Sequence, residues 1–140
     1  MDIAALVAWI VTALGGFFLL VRWISGGGLR RQQTGTTSFP APVVFGHFLL
    51  AAAGLLVWIV YLAADKTALA WTSFGVLVAV ALLGFTMLAR WIPVYRAAPA
   101  TTEAMTPAER QLPVPVVGAH GLLAATTLVL VLLAAIGVGS

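Results

Sequence analysis

Four long apolar segments constrain the fold of this chain more than any other feature of its sequence. They cover about residues 3–23, 43–64, 68–92 and 116–138. Each is long enough to cross a bilayer as a helix, which takes about 20 residues. Because backbone polar groups inside a bilayer must be hydrogen-bonded within the protein, helices are favoured there. The sequence therefore predicts an all-α fold, an integral membrane four-helix bundle that forms a single domain over residues 1–140.

Composition supports membrane insertion and excludes several kinds of site. Hydrophobic residues make up 62% of the chain and charged residues only 8%, whereas soluble domains carry about 25% charged residues. The absence of cysteine excludes disulfides, thiolate metal sites, iron–sulfur clusters and c-type haem attachment. The net charge of +3 comes from basic residues in or beside the loops between helices, which reflects the orientation of the helices in the membrane and does not indicate nucleic-acid binding. The chain begins without a positively charged segment, so we expect a first transmembrane helix and not a signal peptide.

The basic residues predict how the helices are oriented. Two long polar loops, about residues 25–41 and 93–113, contain or border six arginines, whereas the turn between the second and third segments has only Lys66. The positive-inside rule then places both loops in the cytoplasm and both termini outside. Abundant Ala, Val and Gly, and Arg in preference to Lys, are typical of a bacterial protein with a GC-rich genome. The predicted location is therefore a bacterial plasma membrane.

The second loop contains a predicted short interfacial helix. Thr106 is expected as its N-cap, with Pro107 in the first position and Glu109 in the third. The four acidic residues of the chain all lie outside the apolar segments: Asp2, Asp65, Glu103 and Glu109. No predicted helix therefore offers a carboxylate to a cation inside the membrane.

Two segments of the chain occur twice, and one of them contains both histidines. Residues 40–52 read PAPVVFGHFLLAA and residues 113–125 read PVPVVGAHGLLAA, with nine of thirteen positions identical. Residues 16–24 read GFFLLVRWI and residues 84–92 read GFTMLARWI, with six of nine identical. Apolar composition alone does not explain why both copies contain the same less common motifs, namely Gly-Phe, Arg-Trp-Ile, Pro-x-Pro and His. The matches predict an internal duplication.

The duplication predicts where the two histidines lie. Repeats over residues 1–66 and 67–140 would each contain two helices and insert in the same orientation, related by a pseudo-two-fold axis along the membrane normal. The second and fourth helices are then parallel diagonal neighbours. His47 and His120 each follow a proline by five residues, which sets both roughly 7–8 Å below the cytoplasmic boundary. We expect the two imidazoles to face each other, and an intramembrane histidine is by default a candidate functional residue.

Further shared residues predict what surrounds the imidazoles. Gly16 and Gly84 lie roughly 9 Å from the same boundary and leave space beside the histidines. Arginines at the rim can pair with anions: Arg22, Arg90, Arg30 and Arg31. No catalytic residues are predicted.

This set of residues meets the requirements of one b-type haem with two histidine ligands. His47 and His120 would bind the iron, and Gly16 and Gly84 would make room for the macrocycle. The four arginines would neutralise the propionates. Because a six-coordinate haem has no open position for a substrate, the predicted activity is electron transfer.

The layout resembles the four-helix core of membrane b-type cytochromes. In that family the second and fourth helices carry the haem ligands, and glycines on the first and third give the haem room. The resemblance rests on His47, His120, Gly16 and Gly84, and it departs in one respect. Family members carry two histidines on each ligand helix and bind two haems, whereas each helix here has one. The resemblance therefore implies one haem near the cytoplasmic side, in an electron relay or a subunit of a membrane redox complex, with a quinone or a cytoplasmic protein as electron partner.

Three alternatives remain open from the sequence. The histidines could form only structural hydrogen bonds between helices. They could hold a metal ion directly, although zinc and copper sites use three or four ligands. The chain could be a non-catalytic accessory subunit, without cofactor, of a larger respiratory or transport complex. In each case it could act as an oligomer or as one subunit of a complex.

Overall fold

The computed structural model describes residues 1–97 and 106–139 and confirms an all-α fold with four long helices. The helices are α1 (Asp2–Ser25), α2 (Ala41–Ala64), α3 (Thr67–Arg96) and α4 (Val114–Ala135). Each is long and apolar enough to cross a membrane. Single 3-10 turns at Arg30–Gln32 and Ala108–Gln111 lie in the two long connections.

Local sequence signals account for most helix ends. Prolines occupy the first turns of α2 and α4, where a missing backbone N–H costs no helical hydrogen bond. Helix α2 ends at Ala64, and the next residue, Asp65, takes the left-handed conformation with φ 49° while its N–H donates to the Tyr61 carbonyl at 2.8 Å. This tight reversal leads directly into α3. Helix α4 begins at Val114 and ends at Ala135, so it is shifted by two to three residues from the predicted 116–138.

Helix α3 continues beyond the predicted boundary at Pro93. The turn over residues 93–96 is helical, so the second long connection starts later than predicted. A proline near a helix end removes only one backbone hydrogen bond. Arg110 donates to two other carbonyls, those of Val94 (3.0 Å) and Ala97 (2.7 Å), and so caps the end of α3. The predicted loop residue Glu103 lies outside the described residues.

The predicted short helix around Pro107 differs in detail. Residues Ala108–Gln111 form one 3-10 turn, Pro107 rather than Thr106 takes the cap position, and no side chain caps the turn. Glu109 is not at a solvated helix start but is fully buried. Its hydrogen bonds, described below, explain why the turn packs inward.

The four helices pack as a bundle in which α1 and α3 are diagonal, as are α2 and α4. The closest pairs are α2 with α3 and α1 with α4. One buried cluster centres on Trp9, Trp58 and Tyr61, and a second on Trp23 and Trp91. Along α2, His47 lies between these two clusters. The fold therefore places each histidine six residues from the start of its helix, nearer one end of the bundle, where the two closely packed helix pairs meet.

Candidate functional site: a histidine pair in an apolar cavity

His47 on α2 and His120 on α4 face each other across the bundle. Their ring centroids are 6.2 Å apart and their planes are inclined by 67°. Both side chains are half-buried. The structure thus brings together the two histidines that the repeated segments contain.

Each imidazole is held by a backbone carbonyl of a neighbouring helix. Nδ1 of His47 lies 2.9 Å from the carbonyl oxygen of Val80 on α3, and Nδ1 of His120 lies 3.0 Å from that of Thr12 on α1. A carbonyl oxygen only accepts hydrogen bonds, so Nδ1 carries the proton in both rings. Each Nε2 therefore keeps a lone pair that can bind a metal.

Gly16 and Gly84 allow the imidazoles to approach the helix backbones. Each glycine lies one helical turn after the accepting carbonyl, on the same helix face. A Cβ atom at Gly16 would lie 2.9 Å from Cε1 of His120, and one at Gly84 would lie 3.2 Å from Cε1 of His47. The glycines thus accommodate the histidine rings themselves, next to the place where the sequence predicts room for a macrocycle.

These distances predict a graded effect of alanine at the two glycines. We expect Gly16→Ala to push the His120 ring off the Thr12 carbonyl and to lower the free energy of unfolding by about 1–3 kcal/mol, as overpacking does. Gly84→Ala should cost less because its contact is longer. Thermal unfolding in detergent measures both, with Gly75→Ala as control, since a Cβ there meets nothing within 4 Å. Equal stability of Gly16→Ala and Gly75→Ala would contradict the role assigned to Gly16.

The histidines line an apolar cavity of about 570 Å³ between the two helix pairs. All four helices contribute, and almost every lining side chain other than the histidines is a hydrocarbon or an aromatic ring. The lining hydroxyls of Thr12 and Thr127 are 3.2 Å apart and also donate to carbonyls of their own helices. Phe17 and Phe85 line the cavity although they are 53% and 66% exposed, so it extends to the outer surface of the bundle.

The predicted rim arginines are not brought to the histidines. No described arginine lines the cavity. Arg22 and Arg30 are exposed, Arg31 is half-buried in the first connection, and Arg90 donates to the Ser38 carbonyl at 3.1 Å. They lie at the end of the bundle that carries Trp23 and the two long connections.

Glu109 organises that end of the cavity, a role that its sequence pattern does not predict. Its Oε1 accepts hydrogen bonds from Trp23 Nε1 at 3.0 Å, from the Phe39 N–H at 3.1 Å and from the Thr37 hydroxyl. Its backbone carbonyl accepts from Trp91 Nε1 at 3.1 Å. Both tryptophans line the cavity. The signal that could have identified Glu109 is the repeated Arg-Trp-Ile motif, because two buried indole N–H groups need acceptors.

Any metal at this site would depend on the two imidazoles. Within residues 1–97 and 106–139, no group of three or more His, Cys, Asp or Glu side chains could hold a metal ion. Comparison with protein-family models, with curated proteins and with solved structures finds no significant match. The features of this chain that point to a function are therefore the histidine pair and its cavity.

Proposed function

We propose that this chain is a membrane-embedded electron-transfer protein that holds one b-type haem between His47 and His120. The observation that carries the proposal is the pair of facing imidazoles, each with Nδ1 hydrogen-bonded and Nε2 available. A histidine with a purely structural role needs only the hydrogen bond at Nδ1. Such a role does not explain why both rings, each with its Nε2 available, line the same cavity. The alternative accessory subunit without cofactor is favoured only by those same interhelical hydrogen bonds.

The residues present fit such a group. Two ring nitrogens, each about 2 Å from one shared metal, set their ring centroids roughly 6 Å apart. The observed separation is 6.2 Å. The cavity volume of about 570 Å³ falls within the roughly 300–1,000 Å³ typical of cofactor sites. One imidazole comes from the α1–α4 pair and the other from the α2–α3 pair, so ligands are supplied from both walls of the cavity.

The chain's own residues would bind the haem and control what reaches it. His47 and His120 would hold the haem iron through their two Nε2 atoms, and with both ligands supplied by the protein no site would be left for a substrate. The Val80 and Thr12 carbonyls fix the ring orientation and make each Nε2 a better ligand. The hydrocarbon lining keeps water away. When bound, the haem supplies reversible one-electron chemistry.

The outer surface of the helices supports insertion in a membrane. Five leucines, at least one on each of the four helices, are more than 60% exposed: Leu14, Leu49, Leu56, Leu82 and Leu122. A water-soluble bundle would place polar side chains on these faces. The arginine-rich connections then lie in the cytoplasm and both termini outside, by the positive-inside rule. A bacterial plasma membrane is the location that this composition favours.

Equivalent contacts in the two halves of the chain support an internal duplication. The carbonyl acceptors Thr12 and Val80 are 68 positions apart in the sequence, as are Gly16 and Gly84. Each acceptor holds the histidine of the opposite half. A parallel repeat with a pseudo-two-fold axis along the membrane normal accounts for both arrangements.

A single haem near one side of the membrane limits the kind of electron partner that the chain can use. One such haem does not carry electrons across a bilayer alone, so we propose a relay or a subunit of a membrane redox complex. A quinone or a cytoplasmic protein would exchange electrons with it, and the chain would work as an oligomer or within that complex.

The absorption spectrum of the purified protein tests the proposal. We expect a Soret band, sharp α and β bands after reduction with dithionite, and one haem per chain by the pyridine haemochrome assay. The protein should be produced in a haem-replete host and purified in a mild detergent. A colourless preparation that binds no added haemin would contradict the proposed function.

A further inference from the structure

Building on the proposed haem function, we propose that electrons are exchanged at the end of α3 with a soluble, acidic electron-transfer protein. The α3 docking surface consists of Arg90, Tyr95 and Arg96. Three features support this proposal. They are the last turn of α3, which the first half of the chain lacks, the aromatic contact that leads from the cavity to the surface, and the positive charge around Tyr95.

The α3 docking surface lies where the two halves of the chain diverge. Their sequences match up to Ile24 and Ile92. Helix α1 then ends at Ser25 and is followed by three glycines, whereas α3 continues for another turn to Arg96. The positions that correspond to Tyr95 and Arg96 are Gly27 and Gly28. Only the second half therefore carries an aromatic and a cationic side chain here.

At the end of the bundle that carries the long connections, aromatic side chains of the second half connect the cavity to the surface. Trp91 is 7% exposed, lines the cavity and stacks on Tyr95, with ring centroids 5.2 Å apart and planes inclined by 23°. Tyr95 is 50% exposed. Trp23 instead contacts Phe39 at 6.5 Å, and Phe39 is buried. A close-packed path to solvent therefore runs through Trp91 and Tyr95.

The charge around Tyr95 selects the kind of partner. Arg90 and Arg96 are exposed, and Arg96 makes no side-chain hydrogen bond or ion pair with the described part of the chain. Among the described residues, the one carboxylate at this end of the bundle is Glu109, which is fully buried. The described part of this outer surface is therefore positive, and such a surface steers a negatively charged protein toward it.

The position of Tyr95 favours a soluble protein over lipid headgroups. It lies one turn beyond Trp91, about 6 Å farther along the helix axis. Helix α3 has 30 residues, whereas about 20 residues are enough to cross the hydrocarbon core. Its last turn, which carries Tyr95 and Arg96, therefore extends beyond the hydrocarbon core toward the aqueous side.

Electron transfer to two protein probes of opposite charge tests the docking surface. The haem-loaded protein, reduced in a neutral detergent, is mixed by stopped flow with oxidised plastocyanin, which is acidic, or with oxidised cytochrome c, which is basic. We expect the Arg90→Glu/Arg96→Glu variant to lose about tenfold or more of its rate with plastocyanin at low ionic strength and to gain rate with cytochrome c. The difference should disappear at high salt. Lys66→Glu, at the opposite end, is the matched control and should change neither rate.

The same measurements separate failure of the docking surface from failure of the haem assignment. Tyr95→Leu should lower both rates several-fold while the spectrum stays unchanged. If the charge-reversal variant keeps both its spectrum and its two rates, the docking surface is wrong and the haem assignment stands. The same holds if that variant changes only binding to vesicles that contain phosphatidylglycerol, because its arginines are then lipid anchors. Absence of haem from the unmodified protein would instead contradict the proposed function.

Discussion

Replacing His120 with alanine is expected to abolish the low-spin haem spectrum, and replacing His47 is expected to do the same. Each change removes one of two axial nitrogens and leaves the opposite imidazole with an open site across the cavity. A five-coordinate haem or complete loss of haem should result. The oxidised and reduced absorption spectra, together with haem per chain, measure the effect.

Two further substitutions at His120 distinguish a ligand from a purely structural residue. His120→Gln can still donate to the Thr12 carbonyl but offers the iron no imidazole, so it should lose haem and keep the thermal stability of the unmodified protein in its haem-free form. His120→Met keeps a ligand and should preserve six-coordination with a raised reduction potential, as His/Met ligation does. If the double variant His47→Ala/His120→Ala retains the spectrum of the unmodified protein, the ligand assignment is wrong.

Glu109→Ala is expected to give the largest loss of stability in the chain. The change leaves the Trp23 indole N–H and the Phe39 N–H, both in a buried setting, without their acceptor. Each buried donor left unsatisfied costs about 1–3 kcal/mol. The Thr37 hydroxyl loses its partner as well. We therefore expect a loss of several kcal/mol, measured by titration from a mild detergent into SDS.

Two control variants test whether the loss of stability comes from the buried carboxylate of Glu109. Glu109→Gln keeps an oxygen that can accept from Trp23 and Phe39, so it should recover most of the stability. Gln111→Ala changes an exposed residue of the same 3-10 turn and should be close to neutral. A loss for Glu109→Ala no greater than that for Gln111→Ala would show that the buried carboxylate does not hold this end of the bundle.

Hydrophobic segments predict the helices well, because length and apolarity are local properties of the sequence. The extension of α3 past Pro93 was not predictable in this way. Proline normally indicates a helix end, and the turn after Pro93 is capped by Arg110, a residue seventeen positions later whose guanidinium reaches the Val94 and Ala97 carbonyls. No local pattern indicates such a contact.

The candidate site likewise has some features that the sequence predicts and others that it does not. Equal spacing of His47 and His120 from their prolines predicts that they share a depth, and the structure places them face to face. The carbonyls that orient them belong to Val80 and Thr12, and a backbone acceptor is independent of residue type. Glu109 was assigned to a polar helix start because its burial depends on two tryptophans from distant helices.

The hydrogen bonds of the two histidines cross between the halves of the chain. His47, from the first half, uses a carbonyl of α3, and His120, from the second half, uses a carbonyl of α1. Neither half can therefore orient its own imidazole, and fragments covering residues 1–66 and 67–140 would form the site only after they associate. A ligand shared by both imidazoles would in turn favour that association, by the mass-action coupling that links binding to assembly.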